Sequence, residues 1–226
     1  MRFFAEKAFI LHRWPFSETS LVVEAFTREK GRLPLLAKGA KRRKSPFLGT
    51  LEPFVPLRIG ASGKGEVKTL TMAQGVLPAL IQGKLIFWGF CMNELLMRLL
   101  AREDPHPALF DFYARALLAV PRDGEKAFLL FQKQALQEAG HAPQLRKDRQ
   151  GKPISRKKNY TYRFGQEGVS ASTPGGALLR GEALSDLALD AISPEHLFGA
   201  RAFLGELMQG VLEKPLFSLE VAKTCA

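Results

Sequence analysis

The chain has 226 residues, 46% of them hydrophobic, and a formal net charge of +11. That apolar share supports a buried core and excludes a disordered chain, while the charge excess points to polyanions, nucleic acid before an anionic membrane. Only two cysteines, Cys91 and Cys225, are present, which excludes a disulfide framework or cysteine-rich metal cluster and fits a reducing cytosol.

The opening MRFFAEKAFILHRW lacks the long apolar stretch and small-residue cleavage site of a secretory signal. Short strands are then predicted through about residue 75. KAFILH and SLVVEAFT are rich in β-branched and aromatic residues, GRLPLLAKG begins and ends on glycine, and FVPLRIG and GEVKTLTMA flank the glycine-rich ASGKG. Five such strands suggest a small antiparallel barrel, for which the oligonucleotide/oligosaccharide-binding (OB) fold is the obvious candidate; periodicity alone does not separate it from an SH3-like barrel.

From about residue 78 the period lengthens. Ile81, Leu85, Trp88, Met92, Leu95 and Leu99 form the stripe of an amphipathic helix, with Glu94 and Arg98 spaced to pair on another face. Residues 77–101 are the best transmembrane candidate, but Gln82, Lys84, Asn93, Glu94 and Arg98 interrupt them, so a buried helix is expected instead. PALFDFYARALLAV and GEKAFLLFQKQALQEAG predict two more helices, the second closed by Gly140 as a C-cap. A basic segment at 146–158 and a hairpin of NYTYRF and GVSAS around GQEG interrupt the helices, which resume at about 181–191 and 194–212 before the tail KPLFSLEVAKTCA. The expected fold class is therefore α+β. Its domains are residues 1–79, a five-stranded barrel, and 80–226, a helical domain carrying the basic loop and hairpin at about 146–172.

Catalytic chemistry is poorly supplied. The four histidines, His12, His106, His141 and His196, are scattered without metal-ligand spacing. Gly60, Gly63, Lys64 and Gly65 miss the phosphate-loop spacing and lie between two strands, where a hairpin turn is expected. The first 80 residues hold only six carboxylates, Glu6, Glu18, Glu24, Glu29, Glu52 and Glu66, in no pattern that suits Mg²⁺. No enzyme, cofactor or metal site is expected.

Binding chemistry is better supplied. Residues 1–80 contain 14 Lys+Arg against six Asp+Glu, so they carry +8 of the +11. Five cations, Lys38, Lys41, Arg42, Arg43 and Lys44, fall within AKGAKRRKSPF. Each cation that neutralises a phosphate releases condensed counterions, which gives backbone binding with steep salt dependence. A solvated loop is the plainer reading of such a run; its place after a strand and Gly39 in the basic barrel favours nucleic acid. Phe9, Phe26 and Phe54 are expected in the core. Trp14 and Phe47 lie by turns and are divided between core packing and base stacking. A second cluster, Arg146, Lys147, Arg149, Lys152, Arg156, Lys157, Lys158 and Arg163, faces Asp148 alone.

AFILHRWPFSETSLVVEAFTREKGRLPLLAKGAKRRKS resembles the RecO family of bacterial recombination mediators: a strand, an S-E-[TS] turn, a strand ending in F-T, a glycine turn and an A-K-G segment follow in the family's order. LEPF, GKGEVKTL, NELLMRLL, GHAPQL and KPLFSLEV extend the resemblance along nearly the whole chain. It implies an OB domain that binds single- and double-stranded DNA, a helical domain behind it, and a cytoplasmic, nucleoid-associated protein without nucleotide hydrolysis. It further implies annealing of strands coated by single-stranded-DNA-binding protein (SSB), and loading of RecA together with RecR. Carried over by residue, it makes Lys38, Lys41, Arg42, Arg43 and Lys44 DNA contacts, with Arg28, Lys30 and Arg32 beside them. Many members bind zinc through four cysteines after the G-x-x-P-x-L segment; none stands there in this chain, so the branch without zinc is implied. Leu219 also replaces the arginine of the C-terminal K-P-L-x-S-R motif. Capture of SSB's acidic, phenylalanine-ending tail needs a cation beside an apolar pocket, for which Arg201, near Phe203 and Leu204, is the candidate; an ordinary surface arginine is the plainer reading. An OB module that binds RNA is the alternative function. A nuclease or a membrane-surface protein fits less well, lacking clustered carboxylates and a basic amphipathic helix.

Overall fold

Strands of the first 75 residues bury side chains on both of their faces, one inside a barrel and one against helices. In this computed structural model residues 1–142, 144–162, 168–171 and 177–225 are described. Five strands, β1 (Arg2–Pro15), β2 (Leu21–Thr27), β3 (Gly31–Ala37), β4 (Leu57–Ser62) and β5 (Lys68–Gly75), close a barrel in the order β1-β2-β3-β5-β4. All pairs are antiparallel except β3–β5, where Leu35 pairs with Lys68 and Leu36 with Thr69 to complete the closure. ASGKG makes the β4–β5 hairpin, as its glycines predict. Ala8, Ile10, Val23, Ala25, Leu33, Leu35, Leu57 and Ile59 fill the barrel interior.

The other face of β1 and β2 carries Phe9, Leu11 and Phe26 together with Glu24, and helices cover it. Phe9 and Phe26 each lie 5.4 Å, centroid to centroid, from Phe110, and Phe54 lies 5.1 Å from Phe90. These three phenylalanines are buried as expected, but in the core shared with the helices and not inside the barrel.

The helical part opens with α1 (Ile86–Leu99), α2 (Pro107–Ala119) and α3 (Gly124–Glu138). Gly140, at φ +81°, follows the end of α3 as the C-cap reading requires. Besides Met92 and Leu95 of the predicted stripe, Cys91 and Leu96 of α1 are fully buried, because α1 packs against α3, β1 and the last helix. A small sheet follows: β6 (Asn159–Tyr162) pairs antiparallel with β7 (Ser170–Ala171), the expected hairpin, and on its other edge with β8 (Ala177–Arg180). The RFGQE and STPGG stretches between them, Arg163 included, lie outside the described residues. Then come α4 (Gly181–Ala188), α5 (Leu197–Val211) and α6 (Phe217–Cys225). The tail is thus helical, docked by an unexpected device. Glu94 accepts hydrogen bonds from the N–H groups of Phe217 and Ser218 at 3.0 and 2.8 Å, while Arg98, paired with Glu94 at 3.3 Å, donates to Pro215 O. Burial pushes the Glu94 carboxyl up, but these donors outweigh it and hold its pKa below the ordinary value. Among the described residues no helix is long and apolar enough to cross a membrane.

Candidate nucleic-acid interface

The basic run follows directly from β3. After Ala37 the chain makes a series of turns to residue 50, and three apolar side chains, Ala40, Phe47 and Leu51, anchor it in the barrel core. Its backbone is tied to the β1–β2 turn: Lys41 N–H donates to Thr19 O at 2.9 Å, Gly39 N–H to Ser20 Oγ at 3.2 Å, and Lys41 Nζ to Ser17 O at 3.0 Å. Lys38, Lys41, Arg42, Arg43 and Lys44 are all exposed, and among the described residues none pairs with a carboxylate. Glu52, the nearest acidic residue downstream in sequence, is engaged by Arg13. Five cations therefore sit on a fixed loop with their charge uncompensated, an arrangement suited to a row of phosphates.

Aromatic surface lies on the turn that holds this loop. Trp14 is 37% and Phe16 64% exposed, whereas Phe47 is only 8% exposed. The two side chains that sequence alone leaves divided are thus separated: Phe47 packs in the barrel core, and Trp14, its ring 4.4 Å from that of His12, stays at the surface.

The structure does not gather Arg28, Lys30 and Arg32 beside this run. The β2–β3 ladder extends from Leu21↔Ala37 to Thr27↔Gly31, and six residue steps at about 3.3 Å put its two ends roughly 20 Å apart. Residues 38–44 leave one end and Arg28 to Arg32 occupy the other. There Arg28, Gly31 and Arg32 meet the helical part. Arg28 forms a two-pronged pair with Asp111 at 2.9 and 2.8 Å, which raises the pKa of the guanidinium and lowers that of the carboxyl. Lys30 stands over the Phe3 ring at 5.8 Å. Arg32 donates twice to Leu100 O, at 2.8 and 3.1 Å, and pairs at 3.1 Å with Glu24, which is fully buried. Arg102 meets Glu24 from the helical side at 3.1 Å. Burial draws the Arg32 pKa down, against the attraction of Glu24. Gly31, at φ +67°, lets the β2–β3 turn approach the helical part so closely that a Cβ there would fall 2.2 Å from Asp104 O. Their adjacency in sequence to the basic run misleads because a hairpin separates what it connects.

Arg201 of α5 lies at the rim of a groove of about 720 Å³ between α3, α5 and α6, lined by Trp88, Phe128, Leu129, Met208 and Leu216 among others. Its Nε pairs with Glu125 at 2.6 Å. The segment 146–158 is folded tightly: the Asp148 carboxylate accepts from the N–H groups of Gln150 and Lys152, both at 2.9 Å, so it staples the loop. Arg180, which stands alone in its stretch of the chain and belongs to neither basic cluster, joins Arg156, Lys157 and Lys158 in one cleft.

Comparison with known proteins agrees with this architecture. Residues 1–79 match the family model "Recombination protein O N terminal" and residues 83–220 match "Recombination protein O C terminal". The chain belongs to the RecO family. It is 44% identical to the DNA repair protein RecO of Dechloromonas aromatica, over 90% of this chain and 88% of that protein. With the DNA repair protein RecO of Nitrosospira multiformis it shares 39% identity over 97% and 94% of the two chains, and with that of Aromatoleum aromaticum 41% over 96% and 94%. Family membership places this chain in DNA repair and recombination, on an OB-fold barrel followed by a helical region.

Proposed function

We propose that this protein is a non-enzymatic mediator of recombinational repair that binds single- and double-stranded DNA and anneals complementary strands, including strands coated by SSB. The observation that carries the proposal is the loop at 38–44: five exposed cations, uncompensated by carboxylates among the described residues and held by backbone hydrogen bonds to the β1–β2 turn. Lys38, Lys41, Arg42, Arg43 and Lys44 hold one strand by its phosphates, and the aromatic surface of Trp14 and Phe16 supports bases beside them. Base edges then remain free to pair, and the cationic surface screens the repulsion between two strands. Lys30 is an accessory contact, while Arg28 and Arg32 join the barrel to the helices. The units that carry these roles are residues 1–79 and 80–226.

The groove beside Arg201 receives the acidic, phenylalanine-ending tail of SSB, with the terminal ring among Trp88, Phe128 and Met208 and a carboxylate on Arg201 in place of Glu125. RecR assists in passing the annealed or gapped DNA to RecA, in the cytoplasm at the nucleoid. Annealing of two complementary oligonucleotides, bare and SSB-coated, tests the reading. The intact protein anneals both, and a folded variant with Lys41, Arg42, Arg43 and Lys44 changed to alanine anneals neither. A variant as active as the parent, or a protein that prefers matched RNA over DNA in competition, contradicts it.

A further inference from the structure

The helical part carries a second cationic concavity that the barrel-based reading leaves unused. Its cleft, about 300 Å³, is lined by Arg156, Lys157, Lys158, Asn159, Arg180 and Glu182. Four cations face one carboxylate there, and that carboxylate lies 3.5 Å from His196 Nε2. Asp186, outside the cleft lining, accepts hydrogen bonds from Ser193 N–H and Oγ and contacts His196 Nδ1 at 2.7 Å, leaving Arg156 as a distant partner at 3.6 Å. Lys157, Lys158 and Arg180 are exposed and, among the described residues, form no ion pair.

The cleft is built rather than incidental. Ser155 N–H donates to the Tyr160 hydroxyl at 2.8 Å, Lys158 N–H to Ser155 O at 3.2 Å, and Gly181 N–H to Lys158 O at 2.8 Å. Ser155 O sits so close to Gly181 that a Cβ there would be 2.0 Å away. The register Asn159↔Arg180 then brings Arg180 against the 156–158 turn. An open, polar, cationic cleft with a fixed backbone suits the phosphodiester groups of a nucleic-acid strand and offers little to an apolar peptide.

We infer that Arg156, Lys157, Lys158 and Arg180 form a second strand-binding site, separate from the barrel loop, so that one chain holds two DNA strands at once. The inference rests on the DNA-binding reading above and adds to it where the partner strand is held. Two cationic sites on one molecule offset the mutual repulsion of two strands that a single site leaves to solvent ions.

The test saturates the barrel site with a labelled single-stranded oligonucleotide and then titrates a second, non-complementary one, with complexes counted by native mass spectrometry. The probes are the parent, the triple variant Lys157→Gln, Lys158→Gln, Arg180→Gln, and the barrel variant with Lys41, Arg42, Arg43 and Lys44 changed to alanine. Arg156 is kept because it touches Asp186. The parent forms a complex of one chain and two oligonucleotides. The triple variant keeps first-strand affinity within about twofold but loses second-strand affinity on the order of 100-fold at ~0.1 M salt, three phosphate contacts each contributing roughly fivefold. The barrel variant still holds one oligonucleotide, at the cleft. A parent that binds only one oligonucleotide, or a triple variant that binds two like the parent, overturns the inference while the barrel reading stands. Loss of all DNA binding in the triple variant, with the barrel variant unaffected, overturns the barrel reading instead. If inorganic phosphate at matched ionic strength stabilises the parent but not the triple variant, and no second oligonucleotide binds, the cleft takes free phosphate and the strand assignment is wrong.

Discussion

Replacing Arg32 with methionine separates a structural arginine from a DNA-binding one. The substitution keeps an unbranched apolar stem of similar reach but removes the guanidinium. Leu100 O then loses two donors at 2.8 and 3.1 Å, which costs about 1–3 kcal/mol at a half-buried acceptor. Glu24, buried to 1% side-chain exposure, loses its partner at 3.1 Å but keeps Arg102 at the same distance. The full penalty for breaking a buried pair, roughly 3–5 kcal/mol, is therefore only partly incurred. A net loss of about 3 kcal/mol lowers Tm by about 6–12 °C in a chain of this size. Thermal unfolding followed by circular dichroism gives that shift, and fluorescence anisotropy at 20 °C gives DNA affinity unchanged within about twofold. An unchanged Tm together with a tenfold or greater loss of DNA affinity would refute the assignment of Arg32 to the joint.

Other perturbations probe other parts of the molecule. Glu94→Ala removes the acceptor of the Phe217 and Ser218 amides, so hydrogen exchange in the first turn of α6 accelerates about tenfold, equivalent to roughly 1.4 kcal/mol. At the Arg201 groove, Arg201→Ala weakens binding of an SSB-tail peptide about tenfold, whereas Glu125→Gln, which frees Arg201 from its 2.6 Å pair, strengthens it; calorimetric titration distinguishes the two directions. Asp186 is raised by burial but lowered more by hydrogen bonds from His196 and Ser193, to about 2. Its folded pKa thus lies below the unfolded value near 4, so its contribution to stability is present above pH ~4 and is lost as pH falls toward 2. Asp186→Asn lacks that component of the acid transition, which urea midpoints measured between pH 5 and 2 would reveal.

Much of the fold is legible because hydrophobic period reports local geometry. Val23 and Ala25 alternate with Glu24 and Phe26 in a way that marks β2, but alternation does not say that the second face is covered too. Phe9 and Phe26 therefore read as core without revealing which core, and Glu24, on that same covered face, gives no sign of two arginine partners. Glu94 and Arg98 are legible as an i,i+4 pair and illegible as the dock for α6, 123 residues away. The tail itself conceals its helix: the amides of its first two residues are met by a carboxylate from α1. Strand β8, four residues long, is too short for a periodic signal. At the candidate site the same division holds. The density of charge at 38–44 is visible in one dimension, while Arg28 and Arg32 need the β2–β3 register to be set apart, and Arg180 needs the β6–β8 register to be brought in.

Whether the 38–44 loop grips phosphates is read from the salt dependence of single-stranded DNA binding. Each phosphate neutralised adds about 0.7 to the slope of log affinity against log salt. In a chain whose cleft cations Lys157, Lys158 and Arg180 are already glutamine, changing Lys41, Arg42, Arg43 and Lys44 to alanine should lower that slope by about 2.8, with the fold intact by circular dichroism. A slope equal to that of the chain with the glutamines alone would contradict a grip on phosphates and leave the loop a solvated turn.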